Sequence, residues 1–182
     1  GVQTIRTLVE AKRPLAGAMV ELLALVHDEV GREAQIGLAQ EDWNADAESV
    51  RDWIKDVLTT EPPGEEITAY WFGLFQGSEP PPEEELPEGD EGPEAIRFLY
   101  ISGSPRYRFD AENTEWMLWR DDSYLPESRY FASSVLQRIL RLEEAGLDSE
   151  SVPVDAASFG ATTVLTLGYA ALAVHQALRT LD

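Results

Sequence analysis

AIRFLYISGSPRYRFDAENTEWMLW, Ala95 to Trp119, is the stretch from which the fold is read. Ile96, Phe98 and Tyr100 alternate with Arg97, Leu99 and Ile101, and a period of two sends successive side chains to opposite faces of a strand. Gly103, Ser104 and Pro105 interrupt the run as a tight turn or bulge. Tyr107 and Phe109 resume it, and Asp110-Ala111-Glu112-Asn113 supplies turn chemistry before Glu115 to Trp119. The reading is two or three antiparallel strands.

Upstream, Ile67 to Phe75 (ITAYWFGLF) is apolar at nearly every position, which predicts a central strand covered on both faces and paired with Ala95 to Ser102. Between the two, Glu79 to Glu94 holds eight acidic residues, five prolines, two glycines and no basic residue. Such a segment has too little apolar area to offset its chain entropy, so the stretch 77–94 is expected to be a mobile, acidic, Pro-rich hairpin loop.

Helical spacing flanks this sheet. Thr4 to Glu10 is ambiguous. Pro14 opens a helix in which Leu15, Ala18, Met19, Leu22, Leu23, Val26 and Val30 recur at three and four, closing near Gly31. Gly31 to Asn44 reads as a polar connection. Asp46 is the expected cap of a second helix carrying Val50, Trp53, Ile54, Val57 and Leu58, which Pro62, Pro63 and Gly64 end. After the sheet, a helix from about Ser128 to Ala145 places Phe131, Val135, Ile139 and Leu142 on one stripe, and a last helix begins near Thr166 with Gly168 weakening its start. The expectation is a single α+β domain over residues 1–182, with an antiparallel sheet of about four strands between two N-terminal and two C-terminal helices.

The 182 residues carry 34 acidic and 14 basic side chains, a net charge of −20. That balance repels nucleic-acid phosphate and anionic lipid, so neither is expected as a partner, and a basic protein is. Removal of the eight acidic residues of the loop would still leave −12, so the body of the protein is acidic in its own right. No cysteine is present, which excludes disulfides, thiolate metal ligands and a Cys nucleophile, and permits a cytoplasmic location. The first residues, GVQTIRTLVEAKRP, lack the apolar run of a secretory signal. Ala156 to Leu178 has no Asp, Glu, Lys or Arg, yet its Ala, Thr, Ser and Gly content predicts a buried core segment rather than a membrane span.

A search for chemistry yields no catalytic residue, no metal ligand and no cofactor motif. His27 lacks a second His one turn away, and His175 sits in an apolar helix. Ser104 is followed by Pro105 and Arg106 rather than by the Gly and helix of a nucleophile elbow, and no glycine pattern cradles phosphate. The run Asp110 to Glu115 is acidic but lacks the Gly and the closing Glu of a calcium loop. The best candidate is an acidic, aromatic rim for partner binding: Asp110, Glu112, Glu115, Trp116, Trp119, Asp121, Asp122 and Tyr124, with Glu83, Glu84 and Glu85 of the loop.

Tyr70 to Phe75 (YWFGLF), Leu99 to Ser104 (LYISGS), Phe109-Asp110, Glu115-Trp116, Tyr124 to Tyr130 (YLPESRY) and Gly168-Tyr169-Ala170 together resemble bacterial immunity-type proteins encoded beside polymorphic toxins. The resemblance covers Ile67 to the C-terminus and defines no catalytic residue. It implies a cytosolic, non-enzymatic inhibitor that neutralises one cognate toxin, and acidity fits a toxin with a basic cleft. The other reading is a carboxylate-dependent hydrolase, with or without a divalent metal. Whether the chain is a monomer or a dimer stays open at this level.

Overall fold

The computed structural model describes residues 2–27, 32–78, 95–106, 120–147 and 156–181. Its order is α1 (Val2–Glu10), α2 (Leu15–Leu25), α3 (Arg32–Ala39), α4 (Trp43–Thr60), β1 (Ala69–Ser78), β2 (Ala95–Ser104), β3 (Tyr130–Ala132), α5 (Ser134–Leu147) and α6 (Ala156–Arg179). The α+β class stands. Among the described residues the sheet has three strands rather than about four, in the order β1-β2-β3, and four helices rather than two precede it.

The strands are antiparallel, with Ala69 opposite Ser104 and Ser78 opposite Ala95, and Phe98 to Tyr100 opposite Ala132 to Tyr130. Arg97, Leu99 and Ile101 are buried on the helix-facing side, as their alternation requires. Phe72 and Leu74 of β1 and Phe131 of β3 share that side and pack against the core. Among the described residues β1 is therefore an edge rather than the expected central strand. Its other face is not buried either. Trp71, Phe75, Phe98, Tyr100 and Tyr130 lie there in one network of ring contacts, with centroids 5.6 to 6.4 Å apart, none of them packed against the helical core. Gly73 permits this: a Cβ there would stand 2.4 Å from the Tyr100 ring, which lies across the glycine on the neighbouring strand.

The expected break at Gly103 is absent. Strand β2 runs through it to Ser104, and Gly103 forms a two-bond bridge with Tyr124, N–H to O at 3.0 and 2.9 Å. The segment expected as the start of a helix at Ser128 instead pairs as β3, and its Phe131 stacks on Trp53 of α4 at 5.5 Å; the helix begins at Ser134. Residues 32–39, expected as a polar connection, form α3, whose Leu38 is fully buried.

Helix α6 organises the core. It starts at Ala156, ten residues before the expected Thr166, and touches α1, α2, α4 and α5. Gly168 lies in its interior, where a Cβ would stand 2.4 Å from Leu22 Cδ1, so the glycine sets how closely α2 approaches. The stretch Gly160–Arg179 is long and apolar enough by composition to cross a membrane, and 61% of its most apolar window is buried within the fold.

Asp46 is not the cap of α4. Asp42 holds that role, accepting from the Ala45 N–H at 3.1 Å, while Asp46 sits in the first turn and is buried. Its carboxylate accepts from Ser133 Oγ at 2.6 Å, Ser134 N at 2.9 Å, Ser134 Oγ at 2.8 Å and the Tyr169 hydroxyl. It thus binds α4 to the N-terminus of α5 and the middle of α6, where a negative charge also meets the positive end of the α5 dipole. Burial, followed by the negative charge of Asp46, pushes the Tyr169 phenol far above its ordinary range.

Candidate functional site: an acidic groove at one end of the sheet

Of the residues expected in the partner-binding rim, Asp121, Asp122 and Tyr124 lie among the described residues; Asp110, Glu112, Glu115, Trp116 and Trp119, and the loop residues Glu83, Glu84 and Glu85, lie outside them, as does most of the expected loop at 77–94. The three described residues share one groove of about 370 Å³ with two carboxylates that the sequence reading passed over, Glu61 and Glu66. Glu61-Pro62-Pro63-Gly64-Glu65-Glu66 reads locally only as a helix stop, yet three carboxylates around a proline turn are its one signal of a charged surface.

The groove is built on the end of the sheet where β1 begins. Helix α4 stops at Thr60 and the chain turns at 61–67, closed by Ile67 N–H donating to the Gly64 carbonyl at 3.1 Å. Glu66 folds back over Gly64, where a Cβ would meet its carboxylate at 2.2 to 2.5 Å. The opposite wall, residues 120–126, is pinned to β2 by the Gly103–Tyr124 bridge and by Ser102 Oγ donating to the Tyr124 carbonyl at 3.3 Å. The Tyr124 hydroxyl closes the floor by donating to the Glu61 carbonyl at 2.6 Å, and its ring meets Tyr70 edge-on at 6.2 Å. Burial, then the nearby Glu61 and Tyr70, push this phenol up to about 12.

Glu61 is held in place by the other wall. Its carboxylate accepts from the Ser128 hydroxyl, from Ser128 N–H at 3.0 Å and from Glu127 N–H at 2.6 Å, and these donors, the hydroxyl first, hold it below the usual carboxylate range. Asp122 pairs with Arg106, whereas Glu66 and Asp121 have no ion pair among the described residues. Two carboxylates thus stay open to an incoming cation, and the walls that carry them are fixed before any partner arrives.

Among the described residues no group of three or more His, Asp or Glu side chains converges on a point where a metal ion would sit. His175 has a buried Nε2 with no hydrogen-bond partner among the described residues, and burial, then Arg179 and Lys12, lower its affinity for a proton. Comparison with protein-family models, with curated proteins and with solved structures gave no match.

Proposed function

We propose that this protein is a non-enzymatic, acidic binding protein that acts in the cytoplasm as an immunity-type inhibitor, holding a basic partner, a toxin, through the groove between residues 61–67 and 120–126. The observation that carries this reading is the arrangement of Glu61, Glu66, Asp121 and Asp122 around one hydrogen-bonded groove in a chain of net charge −20. A long-range negative field accelerates encounter with a cation-lined surface, and a prearranged groove lowers the ordering cost of the complex. Tyr70 and Tyr124, ring against ring beside the carboxylates, supply the apolar contact on which a Lys or Arg stem can lie.

The test starts by isolating the stoichiometric basic partner from a host lysate and then measuring its association with the wild type and with the Glu66→Gln, Asp121→Asn, Asp122→Asn triple variant. Rim charges act chiefly on association, so the triple variant is expected to bind about ten-fold more weakly and to show a shallower salt dependence of its on-rate than the wild type. An on-rate independent of salt in the wild type, or equal affinities for the two proteins, would remove the groove from the mechanism.

A further inference from the structure

Among the described residues β1 is an edge strand. Ile101 N–H donates to Arg129 O and Gly103 exchanges both bonds with Tyr124, so the odd residues of β2 bond toward the β3 side and Phe98, Tyr100 and Ser102 bond toward β1. By register their partners are Phe75, Gly73 and Trp71, which leaves the N–H and C=O groups of Tyr70, Phe72, Leu74 and Gln76 pointing outward. No described strand takes them. Exposed edges are ordinarily blunted by Lys, Pro or a bulge, yet Ala69–Ser78 (AYWFGLFQGS) is ten residues long without a charge or a proline.

Beneath the far half of this edge lies a second cleft of about 410 Å³, between Leu74 and Gln76 of β1 and Thr166 and Leu167 of α6. Its floor is Arg97, whose guanidinium is neutralised by Glu143 at 3.0 Å and held by Thr166 Oγ1 at 2.8 Å and Gln76 Oε1 at 3.1 Å. The cation is engaged, so the cleft offers an apolar wall rather than a charge, and Leu167 stands 42% exposed at its mouth.

We infer that the β1 edge and this cleft bind an extended segment of the basic partner as a fourth strand, with an apolar side chain entering the cleft at Leu74–Gln76 and Lys or Arg at the end that reaches Glu65 and Glu66. Main-chain bonds to an edge supply affinity and a pocket under alternate side chains supplies specificity. Charge selects the occupant. Glu65 and Glu66 are exposed immediately before β1, and the groove with Asp121 and Asp122 lies at the same end, so a cationic terminus is attracted there. A second copy of this chain brings another −20 to the contact, and nucleic acid brings phosphate; both are repelled. The eight steps from Ile67 to Phe75 span about 26 Å in an extended chain at ~3.3 Å each, which sets the separation between the basic end and the apolar anchor. This inference rests on the proposed basic partner and assigns that partner's recognition element.

The experiment uses the whole chain and a fluorescent peptide, Lys-Lys-Thr-Val-Thr-Val-Thr-Val-Lys-Lys, read by anisotropy, beside a control of equal charge with a Gly-Ser centre. The strand-forming peptide is expected to bind at least ten-fold more tightly. N-methylation of one alternate set of its central amides is expected to abolish binding, and methylation of the other set to leave it intact, because only one set faces β1. The Leu167→Ser variant, on α6 and outside the sheet, is expected to weaken the peptide several-fold and the control not at all. Equal affinity for peptide and control, or indifference to which amides are methylated, overturns the inference. If the full-length partner still binds in that case with a salt-dependent on-rate, the groove reading survives alone. Dimerisation of the protein that the peptide reverses gives the edge to a second copy, which also overturns it.

Discussion

Asp46→Ala removes the acceptor for four donors on two elements, and the cost can be worked group by group. Ser134 lies at the start of α5 with its N–H and hydroxyl partly buried, so water recovers much of their loss. The Ser133 and Tyr169 hydroxyls, 0% and 1% exposed as residues, have no such recourse. Each orphaned buried hydroxyl costs about 1–3 kcal/mol, and loss of a negative charge at the α5 N-terminus about 0.5 kcal/mol more. Release of a buried carboxylate from its desolvation penalty offsets part of this, leaving a net loss of about 3 kcal/mol. With a urea slope of ~2 kcal/mol/M, the unfolding midpoint falls by about 1.5 M. Asp46→Asn keeps an acceptor oxygen, and the expected loss is roughly half as large. Tyr169→Phe removes one donor at about 1–1.5 kcal/mol, and the double-mutant cycle of Asp46 with Tyr169 gives a coupling of ~1 kcal/mol. A midpoint shift under about 0.5 M for Asp46→Ala, with an unchanged slope, refutes the claim that this carboxylate joins the helices.

The same clasp makes stability sensitive to alkali. The folded Tyr169 phenol titrates above its unfolded value near 10, so its contribution is complete below that pH and is lost above it; the Tyr169→Phe variant should show a shallower decline above pH 10, by up to ~1.4 kcal/mol per pH unit, in urea titrations. His175 acts at the other end. Its folded affinity for a proton is lowered by burial, so stability falls as pH drops below about 6.5, and thermal melts of His175→Leu should lose that dependence between pH 7 and 5. Gly168→Ala gains about 1 kcal/mol of helix propensity but drives a methyl into the fully buried Leu22, and the expected net change is a loss of ~1 kcal/mol or more by urea titration; an unchanged midpoint means α2 shifts freely.

What could be read from sequence was local. The alternation of Arg97, Leu99 and Ile101 against Ile96, Phe98 and Tyr100 assigns both faces of β2 correctly, because strand period is a property of neighbours. Asp46 shows where that reasoning stops. Asp42 and Asp46 both suit a helix start, and the donors that decide between them, Ser133 and Tyr169, lie 87 and 123 residues away. The strand β3 is three residues long, too short for a period to register, so Phe131 reads in the sequence as part of the helix that follows. Ile67 to Phe75 reads as covered on both sides because composition does not distinguish rings in a core from rings packed on one another over an open sheet face. Within the groove, Asp121, Asp122 and Tyr124 announced themselves by charge beside aromatics, whereas Glu61 and Glu66 arrive from across the sheet end and have no sequence neighbour in common with them.

Because α6 touches α1, α2, α4 and α5, the fold also has an order of completion. A ribosome delivers the chain N-terminus first at about 5–20 residues per second, so the roughly one hundred residues between the end of α4 and the beginning of α6 take about 5–20 s to emerge. Throughout that interval Leu15, Leu22 and Ile54 have no α6 to close over them. Asp46 likewise waits for Tyr169. The heavy negative charge then acts as a solubiliser of the nascent chain, keeping these incomplete helices apart from one another and from neighbouring polysomes. The closed core comes into being when α6 docks, so an interrupted translation product that lacks α6 carries no completed fold.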